Sequence, residues 1–274
     1  MVRKIARWMD EAAIARPEAP KARTRRVSQP SGAGPSGKLA PKKPLERVGA
    51  SVALTGPGLV SDGVREAMVE LLRRSGVNDA AVLQAMRSIP RHAFVEPGLS
   101  SRAYEDVALP IGHGQTISRP LTVARMIEII ASPLSEAERR AASVLEIGTG
   151  CGYQAAVLAQ IFGQVISIER IRGLHEQARA NLRLLRLANL RLVFGDGQNG
   201  VVQAAPYDVV IAAAAGAAIP DAWLEQLRLG GRLIAPVSQS DGQALHLVQR
   251  IARDRWQLTV LDAVRFVPLR AGTA

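Results

Sequence analysis

The chain has 274 residues, 47% of them hydrophobic, with a formal net charge of +11 and a single cysteine. That length and apolar content suffice for a sizeable core, while one thiol excludes an intramolecular disulfide and four scattered histidines supply no zinc-ligand set, so no metal is expected. No apolar run approaches the ~20 residues that cross a bilayer, and no charged-then-apolar segment with a cleavage-like end opens the chain, so a cytoplasmic protein without a membrane partner is expected.

The charge is concentrated at one end. Residues 1–50 hold 12 Lys/Arg against 4 Asp/Glu, leaving 23 against 20 for the rest. Residues 1–52 also contain six prolines, the run Ser31-Gly-Ala-Gly-Pro-Ser-Gly37 and the cluster Arg23-Thr-Arg-Arg26. Such a stretch buries too little apolar surface to offset its ordering entropy and reads as a disordered basic tail. A weak electrostatic tether to RNA or an acidic surface competes with a dispensable extension, and generic composition favours the extension.

From Leu59 the pattern becomes regular. Val64, Met68, Leu71 and Leu72 repeat at helical spacing after Ser61-Asp62, and Val82, Leu83 and Met86 do so after Asn78-Asp79. A polar, extended stretch occupies 104–120, and a helix is expected over 121–131. After a polar break, strands at 142–147, 165–168, 190–194, 208–213 and 232–237 alternate with helices at 153–162, 172–187 and 221–228. This alternation implies parallel strands joined by right-handed crossovers, an open doubly wound α/β sheet. Segments 243–250 and 256–267 read as two further strands that a short turn forces antiparallel. The domain reading is therefore a tail (1–52), an N-terminal helical segment carrying the loop 104–120 (53–135) and an α/β core (136–274).

In an open parallel sheet, ligands lie beyond the carboxyl ends of the strands. The first strand ends in Gly148-Thr-Gly-Cys-Gly152, whose glycines let backbone approach a flat ligand. The second ends in Glu169, an acceptor for ribose hydroxyls, and the third in Gly195-Asp196-Gly197, an acceptor beside flexible backbone that suits the amino group of a purine. The glycine spacing does not match the dinucleotide fingerprint, and Glu146 inside the first strand would sit badly near a diphosphate. A ligand with a ribose, an adenine and a positive centre, such as S-adenosylmethionine, fits better.

Leu145-Glu-Ile-Gly-Thr-Gly-Cys-Gly-Tyr153 resembles the first motif of class I S-adenosylmethionine-dependent methyltransferases, with their Rossmann-like fold. Ala108-Leu-Pro-Ile-Gly-His-Gly-Gln-Thr-Ile-Ser-Arg-Pro120 resembles the signature loop of protein-L-isoaspartate (D-aspartate) O-methyltransferases. Tyr207-Asp-Val-Val-Ile211, Leu229-Gly-Gly-Arg-Leu-Ile-Ala-Pro-Val237 and Val264-Arg-Phe-Val-Pro-Leu269 are similar to the same family. The resemblance implies a protein-repair enzyme that methylates the α-carboxylate of isoaspartyl residues in damaged proteins and peptides. It implies Ser118 as the active-site residue, with Thr116 and Ile117 beside it toward substrate. It implies a cofactor held by Gly114, Gln115, Glu146, Gly148, Gly150, Glu169, Asp196 and Gly197, and a monomer is expected.

On position alone Ser118, just before Pro120 and an apolar helix, reads as a helix cap; the resemblance favours orientation of the attacking carboxylate. His113 reads as loop filler, Cys151 as a small loop residue and His92 as structural. A nucleic-acid methyltransferase is the rival among enzymes. Ala212-Ala-Ala-Ala-Gly216 stands where adenine-methylating enzymes resemble one another in an Asn/Asp-Pro-Pro-aromatic loop, and no Pro-Cys nucleophile is present. A catalytically silent module that keeps the fold is the rival from another class.

Overall fold

The computed structural model describes residues 62–274; the predicted tail lies outside them. Two amphipathic helices open this region, α1 (Asp62–Arg74) and α2 (Ala80–Ser88). Asp79 caps α2, its carboxylate accepting the backbone N–H groups of Ala81 and Val82 at 3.0 and 3.1 Å. The extended stretch forms a small antiparallel hairpin, β1 (Leu109–Pro110) with β2 (Thr116–Ile117), and leads into α3 (Pro120–Ala131). The polar break that follows is helical. Here α4 (Glu136–Ala141) is nucleated by a capping box in which Ser135 and Glu138 exchange bonds, a Ser-x-x-Glu signature present in the sequence.

The core alternates as expected: β3 (Ser143–Ile147), α5 (Tyr153–Ile161), β4 (Gln164–Glu169), α6 (Arg172–Arg183), β5 (Leu190–Phe194) and β6 (Tyr207–Ala212). Helix α7 (Asp221–Glu225) is shorter than its pattern suggested, because β7 (Leu227–Gln239) begins five residues before the expected 232. Two long strands, β8 (Gly242–Ala252) and β9 (Arg255–Val264), complete a seven-stranded sheet of order β5-β4-β3-β6-β7-β8-β9. The first five of these strands in chain order are parallel; β8 and β9 add antiparallel as a meander.

Successive side chains of a strand face opposite ways. Val144 therefore enters the apolar layer beneath α1–α3, α5 and α6, while Leu145 and Ile147 enter the opposite layer with Tyr207, Trp223 and Leu224. The sheet is covered on both faces, as parallel strands require. Strand order reverses at β3, which lies between β4 and β6, so its carboxyl end is the topological switch point where a crevice opens. The glycine-rich turn stands there. Among the described residues no helix is long and apolar enough to cross a membrane.

Candidate active site

Three glycines shape the turn after β3, each with positive φ: Gly148 at 90°, Gly150 at 56° and Gly152 at 92°. An L side chain is strained in this region. Space adds a second reason, since a Cβ on Gly152 would lie 2.9 Å from Leu182 Cδ1 and one on Gly150 would lie 3.1 Å from Ile111 Cδ1. The contact at Gly150 joins the turn to the hairpin loop. Gly112, His113 and Gly114 also have positive φ, which folds that loop back so that His113 packs against the bare Cα of Gly173 on α6. His113 is thus a docking contact for the loop.

Glu169 ends β4 as predicted and is 5% exposed. Its Oε2 accepts the Gly150 N–H at 2.9 Å, and its Oε1 accepts those of Arg170 and Ile171, each at 2.9 Å. A carboxylate offers about four acceptor positions, so roughly one remains on Oε2 for a ligand hydroxyl. Glu146 lies beneath the turn, fully buried, and does not line the cavity. One of its oxygens accepts the Ser167 hydroxyl, which also bonds Thr149 Oγ1 at 2.6 Å, and the Gln154 side chain lies beside the carboxyl as a weaker donor. Burial, aided by the neighbouring Glu169 charge, pushes its pKa up to about 8 against the pull of the Ser167 and Gln154 side chains. The group is largely neutral at pH 7 and supports the turn from below.

The cavity beyond the strand ends is lined by Gln115, Thr116, Ile117, Ser118, Gly148, Gly150, Glu169 and Gly197 of the predicted set. Gly114 stands outside it on the exposed loop tip. Asp196 also lies off the lining: its Oδ1 accepts the Gln198 N–H at 2.9 Å and its Oδ2 that of Gly272 at 2.7 Å. The segment 267–274 passes across this end of the cavity. Arg170 holds it through Nε to the Gly272 carbonyl at 2.8 Å, while Val267 through Arg270 form part of the wall. Thr149, Gln154 and Ala213 are further lining residues that motif reading did not single out.

A second groove adjoins the first between α3, β9 and the segment after it, and Thr116, Ser118, Ala213 and Val267 line both. Ser118 does not cap α3. That helix has no side-chain cap of its own at Arg119; Asp106, from the loop before the hairpin, accepts the Leu121 N–H at 2.8 Å and pairs with Arg119 at 2.8 Å. Asp106 therefore grips the chain on the residue after Ser118 and again two residues later, and among the described residues the Ser118 hydroxyl has no partner. Behind this loop the buried Arg91 donates to the Ala103 carbonyl at 2.7 Å and stacks on the Tyr153 ring at 4.9 Å. Neither Asp106 nor Arg91 carries a short-range signal: their partners lie 12 to 62 positions away in sequence.

Other reactive side chains are quiet. Burial pushes the Cys151 thiol up to about 11 and the Tyr153 phenol up to about 12. His92 bonds Tyr104 Oη at 2.8 Å, a structural contact. Among the described residues no group of His, Cys, Asp and Glu could hold a metal ion.

A glycine turn at the switch point, an acid at the next strand end and a mixed apolar-polar cavity between them are the fold and strand-end cavity of a class I S-adenosylmethionine-dependent methyltransferase. The profile of the protein-L-isoaspartate(D-aspartate) O-methyltransferase (PCMT) family matches residues 63–274, and the chain belongs to that family. It is 57% identical over 224 residues to a protein-L-isoaspartate O-methyltransferase of Cupriavidus pinatubonensis, covering 78% of this chain and 75% of that protein. It is 56% identical over 225 residues to one from Burkholderia lata, covering 81% and 71%. A solved protein-L-isoaspartate O-methyltransferase superposes with a TM-score of 0.65 at 32% identity, over 74% of this chain and 65% of that one. A structure from Plasmodium falciparum, described under the same family name and in complex with S-adenosyl-L-homocysteine, superposes at 0.66 with 22% identity, over 75% and 98%, and supports the fold.

Proposed function

We propose that the chain transfers a methyl group from S-adenosylmethionine to the α-carboxylate of L-isoaspartyl residues in damaged proteins and peptides. The observation that carries this reading is the Ser118 hydroxyl, without a partner among the described residues, on the wall common to the candidate cofactor cavity and the adjoining groove.

The residues fit the cofactor. Gly148 and Gly150 leave backbone bare at the strand end, Glu169 keeps an acceptor position for a ribose hydroxyl, and Ile147 and Ile168 offer apolar surface for a base. Gly197 brings the third strand end close, since a Cβ there would lie 2.7 Å from Ile147 Cγ2. Asp196 would accept from the base once its bond to Gly272 is shared or released. When bound, S-adenosylmethionine supplies an electrophilic methyl group.

What remains for the protein is alignment and exclusion of water. A carboxylate acceptor with a pKa near ~4 is already ionised at neutral pH, so no general base is required. Ser118 donates a hydrogen bond that orients the attacking oxygen, and Thr116 and Ile117 fix the backbone around it through the hairpin pairing with Leu109 and Pro110. Cys151, held protonated, does not compete for the methyl group. Small residues at Ala213 and Ala214 line the cavity where a nucleobase-methylating enzyme would need polar groups for an exocyclic amine. The proposal includes action as a monomer in the cytoplasm, a setting consistent with the unpaired Cys151.

The test is radiolabel transfer to paired peptides differing only in an isoaspartyl or normal aspartyl linkage. Labelling of the isoaspartyl peptide alone is expected; equal labelling of both, or of neither, overturns the proposal.

A further inference from the structure

The groove beside Ser118 carries more cationic charge than acceptor orientation needs. Its walls bring Arg119 and Arg125 from the α3 side to face Asp262 and Arg265 from the end of β9. Arg119 is committed to Asp106 at 2.8 Å. Arg125 and Arg265 are exposed and have no partner among the described residues, and the single acid on the rim, Asp262, has none either. Two uncommitted guanidinium groups, one on each wall, thus share with a single carboxylate a groove that starts at the candidate catalytic hydroxyl.

Both arginines stand on fixed supports. Arg125 lies on the groove face of α3 with Thr122 and Ile129. Arg265 precedes Phe266, whose N–H donates to Gln243 Oε1 at 2.7 Å and whose carbonyl accepts from Gln243 Nε2 at 3.2 Å. The next residues are tied to Ala215, which donates to the Val267 carbonyl and accepts the Leu269 N–H, each at 2.8 Å. Arg125 stands five residues beyond Pro120 in α3, about 7.5 Å at ~1.5 Å per residue of helix, and Ser118 precedes Pro120 by two non-helical residues that add up to ~7 Å. An extended peptide advances ~3.3 Å per residue and covers the resulting ~8–14 Å in about two to four residues.

We propose that Arg125 and Arg265 make this groove select isoaspartyl sites with an acidic residue about three positions from the isoaspartyl residue. The inference rests on the proposed function and adds a charge preference to it. Guanidinium groups present paired donors that match a carboxylate, so a Glu or Asp side chain leaving the extended peptide meets a complementary partner. The arginines are solvent-exposed, so the preference is modest and salt-sensitive.

The experiment uses the full chain and three isoaspartyl peptides with Glu, Gln or Lys three positions before the isoaspartyl residue, together with a matching set three positions after it. At low ionic strength, kcat/KM is expected to fall in the order Glu, Gln, Lys in at least one set, by about threefold to tenfold from first to last, and to converge at ~0.5 M salt. In Arg125→Glu or Arg265→Glu the order should reverse in the set that shows it. Ratios between peptides are taken within one variant, so a change in folded fraction cancels. Equal kcat/KM for Glu and Lys peptides in both sets, or the same order in wild type and both charge-reversed variants, overturns the inference while leaving methylation of the Gln peptide intact. Failure to label the Gln peptide refutes the function itself and this inference with it.

Discussion

Asp106 offers the sharpest test of how the site is held. Replacing it by Ala removes the acceptor for the Leu121 N–H and the partner of Arg119, both at 2.8 Å, from a side chain only 19% exposed. Loss of a helix cap costs about 0.5–2 kcal/mol, and loss of an ion pair whose arginine is half-exposed about 0.2–1 kcal/mol. Asp106→Ala should therefore lower unfolding free energy by about 1–3 kcal/mol, whereas Asp106→Asn keeps the cap acceptor and should lose under ~1 kcal/mol. The same bonds bracket Ser118, so the alanine variant should lose about tenfold to a hundredfold in kcat/KM, the cost of a misplacement near 1 Å. The asparagine variant should stay within about threefold of wild type. Urea denaturation reads the first quantity, and initial methylation rates below the unfolding transition read the second. Affinity for S-adenosylhomocysteine should change little, since Asp106 does not line the cofactor cavity. A stability loss with wild-type kcat/KM would keep the cap and refute the positioning of Ser118; wild-type behaviour in both would refute the whole account.

Three further outcomes follow from the same geometry. Ser118→Ala should lower kcat for an isoaspartyl peptide by tenfold or more with little change in S-adenosylhomocysteine affinity, measured by calorimetry, because its hydroxyl lines both cavities and has no partner among the described residues. Glu146 titrates near about 8 when folded and near ~4 when unfolded, so folding takes up a proton between those values and this group's contribution is lost as pH rises through the window. Glu146→Gln should gain stability relative to wild type from pH 5 to 8 in paired urea titrations; a flat difference would refute the raised pKa. Removal of residues 1–52 should leave peptide turnover within tenfold, about 1.4 kcal/mol of transition-state stabilisation, because every proposed site residue lies downstream; steady-state rates on the truncated chain check this.

The sheet and its glycine turn were legible because their signals are local. Apolar runs such as Val144–Ile147 and Val165–Ile168 can be little else than buried strands once glycine and acid punctuate their ends. Misreadings arose where two local signals competed or a distant partner decided the outcome. Leu227–Gly231 reads as a helix end followed by a turn, but the chain enters β7 there, with Gly230 at φ 82° and a register irregularity opposite Tyr207–Val209. Helix α6 stops at Arg183, ahead of the expected 187, and Arg186 takes a positive φ of 48°. Among site residues, Glu169 and the hairpin loop reached the cavity as their strand-end and motif positions implied. The resemblance puts Glu146 toward the ligand, yet strand alternation places its side chain with that of Val144, under the turn. The engagement of Asp196 by Gly272, 76 residues away, has no sequence signature at all.

The wall shared by Thr116, Ser118, Ala213 and Val267 has a thermodynamic consequence. A cofactor in one cavity and a peptide in the other would share these four residues, so any change in the order of that wall made by one would be felt by the other. By linkage the coupling is reciprocal, so the factor by which peptide changes cofactor affinity equals the factor by which cofactor changes peptide affinity.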